Sequence, residues 1–234
     1  MAMFALASVP LIRRVDTPGA KQTWFADDAA SGGHLIKLRQ WWDQLNEFGP
    51  MYGYFPNSVK TNLIVKAEHE QKARDVFQGN EVSITVNGKR YLGGAIGTRM
   101  FTEDFFKSRV QEWVKEVERL SQIAKSQPHS AYAGLTHGLV GHWTYLCKLS
   151  EVPENLLQPL EKVIQESLLP NLTGQPAPSV QVHRLLGLLT RHGGLGIVNP
   201  VTQPSVCHKD SVAIAEPLVQ LIIDQAGDSI TARA

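Results

Sequence analysis

Cysteine is scarce in this chain. Only Cys147 and Cys207 occur in 234 residues, too few and too far apart for a disulfide framework or a cysteine metal site. That scarcity points to a reducing compartment, cytoplasm or nucleus, and away from secretion. Long apolar runs are missing too. None approaches the ~20 residues that cross a bilayer as a helix, so no membrane role is expected. The apolar opening, Met1 to Ile12, has no basic residues ahead of it; Arg13 and Arg14 follow it. That order does not fit a secretory signal. It fits a buried helix cut off at its start, and so a fragment of something longer. Charge of one sign is also lacking. The formal net charge is +1, so no overall basic field advertises nucleic acid, and any such contact must come from local patches. What is present is an apolar content of 43% with 19% charged residues, the balance of a globular chain with a real core.

The first hundred residues mix strand and helix patterns. Residues 1–12 read as a helix and Asp16 to Gly19 as a turn. Lys21 to Ala26 reads as a short strand. Leu35, Leu38, Trp42 and Leu45 then recur at helical steps until Gly49-Pro50 stops them. Tyr52 to Asn57 is a loop, Thr61 to Lys66 a strand and Glu68 to Phe77 a short helix. Val82 to Val86 alternates, and Asn87-Gly88 predicts a hairpin returning through Lys89 to Leu92.

Beyond residue 100 the pattern is helical. Thr102 is the expected cap of a helix carrying Phe106, Val110, Trp113, Val117, Leu120 and Ala124 on one face, ended by Gln127-Pro128. Further helices are expected near 130–148, 154–169, 180–190 and 209–225, with loops at 171–179 and 191–200 and a frayed tail after Gly227. The chemistry-bearing feature lies before all of this. Asp27 and Asp28 follow the run Thr23, Trp24, Phe25 and precede Ala29, Ala30 and Ser31, which suggests a strand, a tight acidic turn and a return. Adjacent carboxylates repel and are costly without a cation, a lysine or water nearby. Their oxygens suit Mg2+, as two-metal polymerase sites require; a solvated turn is the plain alternative. Two further motifs follow in order. Lys60, between Val59 and Thr61, stands just before a strand, where it could reach a phosphate; taken alone, an ordinary turn with a solvated lysine is the better reading. Tyr91, Leu92 and Gly93 close the hairpin, where glycine permits close approach of another backbone or of a nucleic-acid strand.

Taken in that order, Phe25-Ala26-Asp27-Asp28, then Asn57 to Thr61, then Tyr91-Leu92-Gly93, the chain resembles the last third of the palm of reverse transcriptases encoded by animal retroelements. The helical part, with Gln127-Pro128-His129 and Gly193 to Pro200, resembles the thumb and the segment beyond it. The resemblance implies an α+β fold, with a partial palm of antiparallel strands and packed helices over residues 1–100 and a helical thumb-like or connection-like region over 101–234. It implies RNA-directed DNA polymerase chemistry with Mg2+, and a template-primer of RNA or DNA with deoxynucleoside triphosphates as partners. Asp27 matches the metal-binding residue of the acidic box and Asp28 its neighbour. Lys60 matches a lysine near the incoming triphosphate. Tyr91, Leu92 and Gly93 match the primer grip. Phe25 stands where the family often has tyrosine.

The family's fingers and first catalytic aspartate have no counterpart here. The chain alone is therefore expected to be inactive, with the missing N-terminal part of the polymerase as a partner. The alternative is a non-catalytic relic that binds nucleic acid or a protein. Other candidates read as ordinary structure. His129, His137 and His142 have no ligand-type spacing. Gly193 to Gly196 lacks the lysine of a phosphate loop. Lys107, Arg109, Lys115 and Arg119 share their helix with Glu112, Glu116 and Glu118, as a solvated face does.

Overall fold

The computed structural model describes residues 2–224, so the expected fraying after Gly227 lies outside the described residues. The fold is α+β, with predominantly helical content and small two-stranded sheets. Its described residues divide into two compact units, 2–89 with 215–224, and Arg90–Ile214.

In the first unit, helix α1 (Ala2–Arg14) leads through a turn into strand β1 (Ala20–Phe25). Strand β2 (Asp28–Gly33) returns antiparallel, with Phe25 opposite Asp28 and Ala20 opposite Gly33. Helix α2 (Leu35–Phe48) follows. Its buried face is Trp41, Trp42 and Leu45, packed with Leu11, Val15, Ala20, Phe77 and Val82. Strand β1 buries Ala20 and Gln22 and exposes Lys21 and Thr23, the two-residue period of a half-buried strand.

Gln22 is a polar residue in this core, and its amide is engaged on both sides. Its Oε1 accepts from Trp24 Nε1 at 3.0 Å and from Trp41 Nε1 at 3.2 Å, while its Nε2 donates to the Ile12 carbonyl at 3.0 Å. Helix, strand and tryptophans are thereby locked together, because a buried amide left without partners would cost about 1–3 kcal/mol.

Strand β3 (Asn62–Ile64) pairs with β4 (Ser83–Thr85) in parallel and not antiparallel as expected, because helix α3 (Glu70–Val76) lies between them in the chain and serves as a crossover. The hairpin expected at Asn87-Gly88 does not form. The Thr85 hydroxyl instead accepts from the backbone N–H groups of Asn87 and Gly88 at 3.3 and 3.5 Å, and the chain turns out of the sheet. The hairpin stands one strand later, with β5 (Gly88–Tyr91) pairing β6 (Gly94–Gly97) across Leu92-Gly93. Both central residues have left-handed φ, 46° and 81°. That is the sign pattern of a type I′ turn, whose twist matches paired strands. Local side-chain capping by Thr85 thus overrode the Asn-Gly preference.

The second unit is built on α4 (Arg99–Ala124). Its cap is Thr98, whose Oγ1 accepts from Phe101 N at 3.3 Å, and not Thr102, which donates to the Thr98 and Arg99 carbonyls. Phe106, Val110, Trp113, Val117, Ser121 and Ala124 form its buried face. Each large side chain buried there stabilises by roughly 1.5–3 kcal/mol. The exposed pair Lys107–Asp104 and the half-buried pair Arg109–Glu112 beside the stripe contribute a few tenths, so the apolar stripe decides where this helix sits.

Two long helical segments pack on it. One runs through α5 (Pro128–Ala133), a π-helical stretch (Gly134–Leu139) and α6 (Val140–Leu149). The other runs through α7 (Glu154–Val163), a second π-helical stretch (Ile164–Leu168) and α8 (Leu169–Thr173). Pro170 has no N–H to donate to the Glu166 carbonyl, and the helix widens just before it. Helix α9 (Val180–Leu186) follows, and α10 (Pro204–Asp224) is the last described element. Cys147 sits in the core of the second unit, its thiol pushed up to about 12 by burial and by the nearby Cys207. It is a packing group, not a nucleophile.

Candidate functional site

The acidic turn is a two-residue connection, Ala26 and Asp27, between paired Phe25 and Asp28. Ala26 has φ of 53° and Asp27 does not share that sign. This is the type II′ sign pattern, in which glycine normally takes the first central position. An L-residue there is strained by about 1–2 kcal/mol, so the surrounding structure must hold the turn. It does so on the backbone. The Tyr54 hydroxyl donates to the Asp27 carbonyl at 3.0 Å, and the Tyr54 ring stands edge-on to Trp24 at 5.2 Å. Trp24 in turn is fixed by Gln22.

Both carboxylates are exposed. Among the described residues, neither forms a salt bridge with a lysine or arginine. Two hard oxygen ligands free of cationic partners fit a divalent ion such as Mg2+ as part of a donor set. Among the described residues no group of three His, Cys, Asp or Glu side chains is gathered, so this pair has no third such ligand beside it.

Lys60 belongs to the same unit. It ends a single 3-10 turn (Ser58–Lys60), where Asn57 Oδ1 accepts from its backbone N–H at 3.1 Å, and it is exposed immediately before β3. The segment that carries it begins with the loop of Tyr54, which holds the acidic turn.

Tyr91, Leu92 and Gly93 lie in the second unit. The turn is docked on α6. The Tyr145 hydroxyl donates to the Leu92 carbonyl at 2.7 Å, and a Cβ built on Gly93 would stand 3.3 Å from the Tyr145 ring. The close approach that this glycine permits is made by Tyr145. Ala26 and Leu92 are, among the described residues, the non-glycine positions with positive φ, and each sits in a turn marked out by the sequence.

Two features escaped the sequence reading. The glycine-rich stretch after α9 caps that helix. Leu195 and Ile197 donate backbone N–H groups to the Leu186 carbonyl at 2.8 and 3.2 Å, and Gly196 donates to Leu188 at 2.9 Å. A Cβ on Gly194 would lie 2.0 Å from the Leu188 oxygen, which explains why glycine stands there. Tyr132 on α5 fixes this loop by donating to the Leu195 carbonyl at 2.6 Å. The second feature is a buried pair, Glu161 on α7 and His183 on α9, with Oε1 and Nδ1 2.9 Å apart. Nothing in their spacing of twenty-two residues signals it; only the packing of the two helices does.

Comparison with protein-family models, with curated proteins and with solved structures returns no significant match for this chain. Among the described residues no helix is long and apolar enough to cross a membrane.

Proposed function

We propose that this chain is a palm-and-thumb portion of a retroelement reverse transcriptase, carrying part of its metal-binding acidic box in Asp27 and Asp28. The observation that carries this reading is the strained two-residue turn with two exposed carboxylates that, among the described residues, form no salt bridge. Strain retained at a non-glycine residue is a mark of functional turns, and a free carboxylate pair is poorly suited to anything but a cation or water. Asp27 and Asp28 would hold Mg2+. When bound, the ion would neutralise triphosphate charge and activate a primer 3′ oxygen. Lys60 would approach the triphosphate as a point charge. Tyr91, Leu92 and Gly93 would meet the primer, with Tyr145 setting the shape of their turn.

The carboxylates gathered here are half of such a site, so we propose that the isolated chain does not polymerise and that the rest of the enzyme supplies the missing ligand. The reading carries with it a template-primer of RNA or DNA, deoxynucleoside triphosphates and an intracellular setting. The test substitutes Fe2+ for Mg2+ in the presence of ascorbate and peroxide, with primer–template duplex present. Backbone cleavage next to Ala26–Asp28, abolished in D27N/D28N, is expected. Uniform cleavage, or none, would sink the metal reading. Primer extension by the chain alone would refute the expected inactivity.

That no third such ligand stands beside the pair among the described residues favours a second reading, a non-catalytic fragment that binds nucleic acid. It predicts salt-dependent affinity for the duplex without localised cleavage. No duplex binding at low salt counts against both.

A further inference from the structure

The polymerase reading leaves two apolar faces unused. The first is on α9 and the turns beside it. The helix is capped by Ser179, whose hydroxyl accepts from Val182 N at 3.4 Å, and it buries His183. Val182 and Leu185, one turn apart, stay exposed, as do Val180, Leu188, Leu189 and Val198. Val180, Leu188 and Val198 line one groove of about 390 Å3, and Arg184 stands in the same wall. The Val198 side of it is held by the backbone bonds of Leu195 and Ile197 to Leu186. Apolar residues exposed singly are ordinary, but a contiguous patch marks an interaction surface.

The second face is on α10. Its buried residue is Pro204, and near its start Cys207 packs on the core and the His208 ring meets the Lys148 carbonyl at 3.3 Å. From Val212 onward it carries Ile214, Leu218, Val219 and Ile223, all five exposed. At 3.6 residues per turn these side chains span roughly half of the circumference. Glu216, Gln220 and Asp224, at four-residue steps, form the polar edge. In the ten residues that follow Asp224, Ile230 is the one large apolar side chain, too little to match this face.

Charge separates the two faces. Residues 167–209 hold no Asp or Glu, and Arg184 and Arg191 are exposed beside the α9 patch. Among the described residues, neither arginine forms a salt bridge. Residues 210–224 are the reverse, with Asp210, Glu216 and Asp224 and no Lys or Arg. Helical spacing puts Asp210 and Glu216 on the two borders of the apolar face. The α9 patch thus suits an apolar helix with acidic borders, and α10 is such a helix. Area favours a reciprocal contact. A half-exposed Val, Leu or Ile offers roughly 50 Å2 of apolar surface. Two copies that each bury both faces would remove roughly 1,100 Å2 from water, enough for a specific interface. A one-way contact would bury half of that and would not close.

We infer that two copies of this chain associate, the α10 face of each, Asp210–Asp224, lying on the α9 patch of the other. The acids of α10 then meet Arg184 and Arg191, and its Leu and Ile side chains enter the groove of Val180, Leu188 and Val198. The interface stands independently of the polymerase reading, since none of its residues belongs to the acidic turn or the hairpin.

The full chain is followed by sedimentation velocity across concentration. A reversible dimer with Kd on the order of 10 μM is expected for an interface of this size. It should weaken as salt rises, because its rim is ionic. Leu185→Glu on α9 and Leu218→Lys on α10 each alter an exposed side chain, so the thermal transition should stay in place while the dimer weakens at least about tenfold. An equimolar mixture of the two variants should dimerise more tightly than either alone. Each mixed pair keeps one intact contact and sets the new lysine against the new glutamate in the other. A monomer at every concentration would overturn the inference. So would a dimer unchanged in both variants, or one lost in a single variant, the mark of α10 pairing with α10 or α9 with α9. Failure of the mixture to regain association would overturn the reciprocal arrangement. Binding of a monomeric chain to anionic lipid vesicles, abolished by Leu185→Glu, would overturn it as well and assign the α9 patch to a membrane.

Discussion

The two turns that carry the sequence-marked residues invite comparison. Each holds a non-glycine residue at positive φ, Ala26 in one and Leu92 in the other. They differ in what holds them and in what they leave open. The acidic turn is gripped through its backbone by Tyr54 and presents both carboxylates to solvent. The second turn is gripped by Tyr145, whose hydroxyl bonds Leu92 and whose ring fills the space above Gly93. A strained turn can thus serve two ends. In the first the strain presents side chains; in the second it seats a hairpin on a helix.

The largest way to break this comparison is at Gln22. Gln22→Ala removes a buried amide that joins α1, Trp24 and Trp41. A loss of about 3 kcal/mol is expected from the orphaned partners together with the cavity. The acidic turn should loosen with it, read as faster amide exchange at Trp24 to Asp28, while exchange at Leu92 and Gly93 is unchanged. Equal loosening of both turns would show that they are not held separately.

Next is Gly93→Ala. It puts a Cβ at φ of 81° and 3.3 Å from the Tyr145 ring, and a cost of about 1–2 kcal/mol is expected in chemical denaturation. Ala26→Gly acts in the opposite sense. It relieves a left-handed alanine and should stabilise by about 0.5–1 kcal/mol, while weakening iron-directed cleavage at the turn if the strain aims the carboxylates. Destabilisation would mean that Ala26 makes contacts worth more than its strain. Tyr145→Phe should be smaller, about 0.5–1 kcal/mol, the worth of one hydrogen bond near the surface. The smallest effect on folding is Asp27→Asn, expected within ~0.5 kcal/mol because the side chain is exposed. Its effect is expected in cation binding, and a large stability change would assign it a structural role.

Much of the fold was legible in the sequence. Period-two burial along β1 and the helical stripe of α4 follow directly from the placement of apolar residues, because one face must leave water. The acidic hairpin was legible because two carboxylates between strand-like runs leave few alternatives. The hairpin at Asn87-Gly88 was misread because the Thr85 hydroxyl competes for those backbone donors, and turn statistics do not see that competition. The cap at Thr98 was missed for a similar reason, since Thr102 has an equally suitable side chain but lies one turn inside the helix.

By itself, the sequence determined which segments are helices, where the carboxylate pair stands and which face of each amphipathic element turns inward. These depend on neighbours a few residues apart. The tertiary structure alone decided that β3 pairs in parallel with β4, that Tyr145 occupies the space above Gly93, and that Glu161 meets His183. Those contacts join residues distant along the chain, and they become defined only once packing has fixed the helices and strands against one another.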